Sequence, residues 1–120
     1  MSSILIVEDN ESLRLAYSSF LSQEGYEVFT VSAVDDALAY LTDRTPDIIL
    51  LDMLLPKKNG LDLLQKYDVI KAHPNVKVIA FSNYTEQQIE NEAMRLGVRL
   101  YLTKALTTPK ELVDTIHQLQ

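Results

Sequence analysis

The hydrophobic pattern of this 120-residue chain switches repeatedly between a strand-like and a helix-like period, and no other feature constrains its fold as strongly. Short apolar runs stand at Ile4–Val7, Val28–Val31, Ile48–Leu51, Val76–Phe81 and Val98–Leu102, interrupted only by Thr30, Lys77 and Arg99. Between them, apolar residues recur every three or four positions, as one buried helix face requires. Leu13, Ala16, Tyr17, Phe20 and Leu21 form the first stripe, and Val34, Ala37, Leu38 and Leu41 the second. Leu64, Tyr67 and Ile70 mark a third helix, and Ile89, Ala93 and Leu96 a less apolar fourth. Leu112, Val113, Ile116 and Leu119 mark the fifth. Gly25 and Gly97 follow helical stretches, where a left-handed residue ends a helix cheaply. Pro109 suits a first helical turn.

Five β–α units in succession predict an α/β fold, a mostly parallel sheet with helices on both faces. The runs at 4–7, 48–51 and 78–81 are continuously apolar, as central strands are, whereas 26–30 and 98–102 alternate like edges. Right-handed connections then give the strand order 2-1-3-4-5, a five-stranded doubly wound (βα)5 sheet. No linker or low-complexity stretch interrupts it, so residues 1–120 read as a single domain.

Composition narrows the function. Hydrophobic residues make up 47% of the chain, enough for a packed core and too many for a disordered one. With no cysteine, disulfides, thiolate metal sites and cysteine nucleophiles are excluded. The apolar runs are too short to span a bilayer and no signal-peptide pattern opens the chain, so the reading is cytoplasmic, with no membrane partner. The net charge of −6 is uneven: residues 1–52 carry ten acidic residues against two basic ones, Arg14 and Arg44, whereas 53–120 carry seven against nine. Such a balance argues against direct nucleic-acid binding by this domain.

In open α/β sheets, ligands bind beyond the carboxyl ends of the strands, where the strand order reverses. There the first strand ends at Glu8 and Asp9, the third at Asp52 and the fourth at Ser82, and Thr103 and Lys104 follow the fifth. Any one of these residues alone could be a loop residue or a helix cap, as Asp9 or Asn10 could be for the helix beginning near Glu11. Together they are three carboxylates, a hydroxyl and an ammonium on one rim. Two carboxylates ~4 Å apart repel by ~4 kcal/mol at an effective dielectric of about 20, so three must lose charge or share a cation. All-oxygen donors suit Mg²⁺, and the set supports phosphoryl transfer onto a carboxylate.

The segments Ile4-Leu5-Ile6-Val7-Glu8-Asp9-Asn10, Asp47 to Pro56 with Asn59-Gly60, Val78-Ile79-Ala80-Phe81-Ser82, and Gly97 with Tyr101-Leu102-Thr103-Lys104 resemble, in this order and spacing, the receiver domain of two-component response regulators. The resemblance covers the whole chain and implies a flavodoxin-like fold and a phosphoacceptor signalling domain rather than an enzyme, one that takes part in its own phosphorylation and dephosphorylation. It implies Asp52 as phosphoacceptor and Mg²⁺ held by Glu8, Asp9, Asp52 and the main-chain carbonyl of Leu54. It also implies that Ser82 turns toward the phosphoryl group, that Lys104 pairs with it, and that Tyr101 is the switch aromatic. The implied partners are a sensor histidine kinase or phosphotransfer protein, a downstream protein or effector domain, and a phosphorylation-linked homodimer. The surface expected to change is that of helix four, strand five and helix five, with helix four (which includes Glu86) thinly anchored.

Several residues take plainer readings. Pro56 and Gly60 shape the loop after strand three, Gly60 by φ freedom before a helix. Lys57 and Lys58 are solvated or dock the kinase. His73 and His117 lie off the rim, on helices three and five. The proline that usually follows the family's lysine is Ala105 here. A cis bond before a non-proline residue costs about 2.5–4 kcal/mol, so the Lys104–Ala105 bond is expected to be trans. Three rivals remain. A carboxylate-nucleophile phosphatase of the haloacid-dehalogenase kind needs an aspartate at position 54, where Leu stands. A flavin domain needs a phosphate loop where Glu8-Asp9-Asn10-Glu11 would repel it. A receiver-like module that is never phosphorylated would be expected to have lost its acids.

Overall fold

Strands β1 (Ser3–Val7), β2 (Glu27–Val31), β3 (Ile48–Asp52), β4 (Lys77–Ser82) and β5 (Leu100–Thr103) pair in parallel in the order β2-β1-β3-β4-β5. The edges are thus the two strands whose sequences alternate. The computed structural model describes residues 2–55, 59–83 and 87–119. Pro56, Lys57, Lys58 and Glu86 lie outside the described residues.

The two-residue period of the central strands sorts the core into two halves. Ile4, Ile6, Ile48, Leu50, Ile79 and Phe81 face α1 (Glu11–Gln23) and α5 (Pro109–Gln118), meeting Tyr17, Leu21, Leu112, Val113 and Ile116. Leu5, Val7, Ile49, Leu51, Val78 and Ala80 face α2 (Val34–Asp43), α3 (Val69–Ala72) and α4 (Gln87–Arg95). Among the described residues no helix is long and apolar enough to cross a membrane.

Local signals explain the helix ends. Asn10, not Asp9, caps α1: its side chain accepts from the Leu13 N–H at 3.0 Å. Thr108 and Glu111 form a reciprocal capping box, with Pro109 in the first turn of α5. Gly25 and Gly97 follow their helices with φ of 94° and 106°, the left-handed geometry expected of them.

Three local expectations need correction. The buried stripe of α1 is narrower than its spacing suggests. Tyr17 and Leu21 are buried and Leu13 half-buried, but Ala16 is exposed and Phe20 is 45% exposed, because positions four apart face the sheet and Phe20 falls at the margin beside α5. The third helix is broken. After a π-helical turn over Asp62–Lys66, closed by Tyr67 N–H donating to the Asp62 carbonyl, Asp68 takes a left-handed φ of 51° before α3. Aspartate tolerates that conformation better than most side chains, and it re-aims Val69 into the core. Gly60 does not have a positive φ; it provides room. A Cβ there would lie 2.9 Å from Met53 Cα and 3.0 Å from the Asp52 carbonyl oxygen, so only glycine lets this turn close against the end of β3.

Candidate functional site: an acidic cluster at the carboxyl ends of the strands

Each polar residue on the rim is delivered by the end of an apolar strand. β1 pairs with β3 through Val7↔Leu51, and the residues that follow, Glu8 and Asp52, enter the rim side by side. Oxygens of Glu8, Asp9 and Asp52 all lie within 4.8 Å of one another. Glu8 and Asp52 are only 3% and 5% exposed, whereas Asp9 is open to solvent. By strand alternation the Glu8 and Asp52 side chains lie on the α1/α5 side of the sheet, where they share a tight pocket with Tyr17 and Phe81.

The cluster has its own cation. Lys104, in a 3-10 turn (Lys104–Leu106) directly after β5, places Nζ 2.5 Å from Glu8 Oε1 and 3.3 Å from Asp52 Oδ2. The Lys104–Ala105 bond is trans, and the lysine reaches the acids across that turn. Further N–H groups fix the carboxylates: Leu54 donates to Asp52 Oδ1 at 3.0 Å, and Asn10 to Glu8 Oε2 at 3.2 Å.

Even so, the Asp52 carboxyl is pushed up from its ordinary 3.8 to about 7. Burial is the largest cause and a shared hydrogen bond with Glu8 the next; the Leu54 N–H and the Lys104 charge pull the other way without prevailing. Asp52 thus resists ionisation despite its ion pair with Lys104, unlike a structural acid whose salt bridge prevails over burial. The donors are hard oxygens in number and spacing suited to a divalent cation such as Mg²⁺, with no softer ligand among them.

The remaining sequence candidates are spread around this centre. Ser82 ends β4 one position past Phe81, the register partner of Asp52, and is 2% exposed. Tyr101 pairs with Ala80 and packs half-buried against the opposite core half, so Ser82 and Tyr101 share the α4 side of the sheet. Leu54, two residues past Asp52, is 42% exposed, its N–H engaged with Asp52. His117 lies away from the rim, its Nδ1 2.7 Å from the Tyr26 hydroxyl. His73 caps the end of α3 rather than lying within a helix, likewise far from the acids.

Two residues near the cluster escaped sequence reasoning. Tyr17 reads in the sequence as an ordinary member of the α1 stripe, yet it walls the acid pocket edge-to-face with Phe81, ring centroids 5.3 Å apart. Its phenol is pushed up to about 12 by burial and by the charges of Glu8 and Asp52. Arg14, one of two basic residues in the acidic first half, donates from Nη1 to the Glu8 carbonyl at 3.0 Å.

This arrangement can be set against known proteins. A model of the response regulator receiver domain family matches residues 4–117. The chain belongs to that family. It is 33% identical over 101 residues to sporulation initiation phosphotransferase F of Bacillus subtilis, covering 84% of this chain and 80% of that protein. It is 37% identical over 99 residues to the luminescence regulatory protein LuxO of Vibrio campbellii, but spans only 21% of that longer protein. The crystal structure of a CheY-like receiver domain protein from Methanospirillum hungatei superposes with a TM-score of 0.92 at 27% identity, covering 99% of this chain and 93% of that one. The receiver domain is a signalling domain of two-component systems, and the fold expected from strand polarity is the fold of these relatives.

Proposed function

We propose that the domain receives a phosphoryl group on Asp52 and uses it to change the surface around α4, β5 and α5. The observation that carries this reading is the buried Asp52 carboxyl, held within reach of two other acids and one lysine at the point where the strand order reverses. An Asp52 oxygen attacks phosphorus while the bond to the donor breaks, and the donor, a histidine imidazole of a sensor kinase or phosphotransfer protein, leaves with that electron pair. Glu8, Asp9, Asp52 and the Leu54 carbonyl would hold Mg²⁺, which when bound neutralises phosphoryl oxygens. Lys104 is near enough to Asp52 to pair with a phosphoryl oxygen in place of the carboxylate. Ser82 turns its hydroxyl toward the new oxygens, and Tyr101, on the same side of the sheet, follows into the space released. The same site serves the later loss of the phosphoryl group to water, so the domain participates in both reactions without being an enzyme of independent turnover.

Residues 1–120 act in this reading as one cytoplasmic domain. The changed surface meets a downstream protein, an effector domain or a second copy of the chain; DNA and membrane are not direct partners. Incubation with a small phosphodonor and Mg²⁺ should raise the intact mass by one phosphoryl group and move the amide resonances of residues 82–104. Asp52→Asn should abolish both effects. Modification that persists in Asp52→Asn, or a modified protein whose 82–104 resonances stay in place, would overturn the reading.

A further inference from the structure

We propose that Arg14 is a positioning residue for the cation site, holding the turn that presents Glu8 and Asp9 by clamping its main-chain carbonyls; this rests on the reading of that site given above. The strand ladder at the end of β1 finishes with Glu8 N–H donating to the Val31 carbonyl at 3.1 Å. The α1 ladder begins with Arg14 N–H donating to the Asn10 carbonyl at 2.9 Å. Between the two ladders stand the carbonyls of Glu8 and Asp9, and the Arg14 guanidinium takes both, with Nη1 at 3.0 Å and 3.5 Å. Main-chain acceptors at such a junction need a donor, most of all next to a residue as buried as Glu8. Both contacts come from Nη1, whose two hydrogens can serve two oxygens while the planar guanidinium fixes their direction. The Glu8 side chain is tied at its far end by Lys104 and by the Asn10 N–H, so Arg14 completes a frame that fixes the acid from both main chain and side chain.

The sign of one measurement separates this role from simple charge. A cation beside the site repels Mg²⁺, so its removal should tighten metal binding if electrostatics were all that Arg14 supplied. If Arg14 positions the carboxylates, its removal should weaken binding in spite of that relief, by about tenfold, as is usual for residues that orient metal ligands. Mg²⁺ titrations of the 120-residue chain, followed by calorimetry and by the fluorescence of its tyrosines, compare the parent with Arg14→Ala, Arg14→Gln and Arg14→Lys. Asp9→Asn is the control in which the site itself is damaged. The expected result is weaker binding for Ala, with partial recovery in Gln and Lys, each of which can still donate to a carbonyl. Urea midpoints of the metal-free variants should stay close to one another. Unchanged or tighter Mg²⁺ binding in Arg14→Ala overturns the inference while leaving the site intact. So does weakening that merely tracks a loss of metal-free stability. If parent and Asp9→Asn alike fail to bind Mg²⁺, the reading of the site falls and this inference with it.

Discussion

Both helices that cover the α1/α5 face of the sheet start on a side-chain cap, whereas α2 and α3 on the opposite face start on none. Packing separates α5 from α4, although uncapped α2 buries Val34, Ala37 and Leu41 where capped α1 buries Tyr17 and Leu21. α5 buries Leu112, Val113 and Ile116 over ten residues, while α4 over nine buries Ala93 alone, with Ile89 and Leu96 only half covered nearby. The opposite face also contains the π-helical turn and the left-handed Asp68. The buried acids Glu8 and Asp52 thus stand on the side of the two capped helices, and Ser82 and Tyr101 on the side of the thinly anchored α4. In the function proposed above, a change of charge at Asp52 would pass across the ends of β4 and β5 to α4, a helix with a single buried anchor.

The comparison is most directly broken by truncating one isoleucine on each face. Ile116→Ala empties a fully buried position and should cost about 3 kcal/mol in urea unfolding, whereas half-buried Ile89→Ala should cost about 1 kcal/mol. Equal losses would mean that α4 is as firmly anchored as α5.

A smaller effect of opposite sign is expected at the acid cluster. Because the native Asp52 carboxyl sits near 7 rather than 3.8, the folded state favours its protonated form. Its contribution to stability is full below about pH 4 and is lost as pH rises toward 7. Asp52→Asn removes that loss, so in Mg²⁺-free buffer it should be more stable than the parent by on the order of 2 kcal/mol at pH 8, and equal to it near pH 4. A parent that matches the variant at both pH values would show that burial does not hold the Asp52 carboxyl toward its protonated form.

The least effect belongs to the caps, and exchanging them sharpens the contrast. Thr108→Ala removes the capping box of α5 and should cost about 1 kcal/mol. Ala33 already has the extended backbone of an N-cap at the start of α2, with φ −151° and ψ 160°. Ala33→Ser should therefore gain about 0.5 kcal/mol, read as a shift in thermal midpoint.

Much of this was legible in the residues. The alternation of periods is local and strong, because a strand buried on both faces must be continuously apolar and a helix on its surface must be apolar on one stripe. That set five strands, five helical regions and, through the more polar runs at 26–30 and 98–102, the two edges. The convergence of Glu8, Asp9, Asp52 and Lys104 follows from the same reasoning, since a parallel sheet brings all its carboxyl ends to one rim. The misreadings were at margins. Phe20 follows the helical period yet points past the sheet, and Gly60 serves a close approach that no φ argument reveals.

What the sequence by itself determined is therefore the architecture and the membership of the rim, because strand burial and helix periodicity are written in neighbouring residues and topology does the gathering. Only the tertiary structure decided how those rim residues are held. Burial of Asp52 beside Glu8, the span of Lys104 across its turn, the wall formed by Tyr17, and the reach of Arg14 back to two carbonyls depend on side chains brought together from β1, α1, β3 and the segment after β5. A desolvation cost or a clamp on a main-chain oxygen is set by what surrounds an atom in space, and no spacing along the chain encodes that.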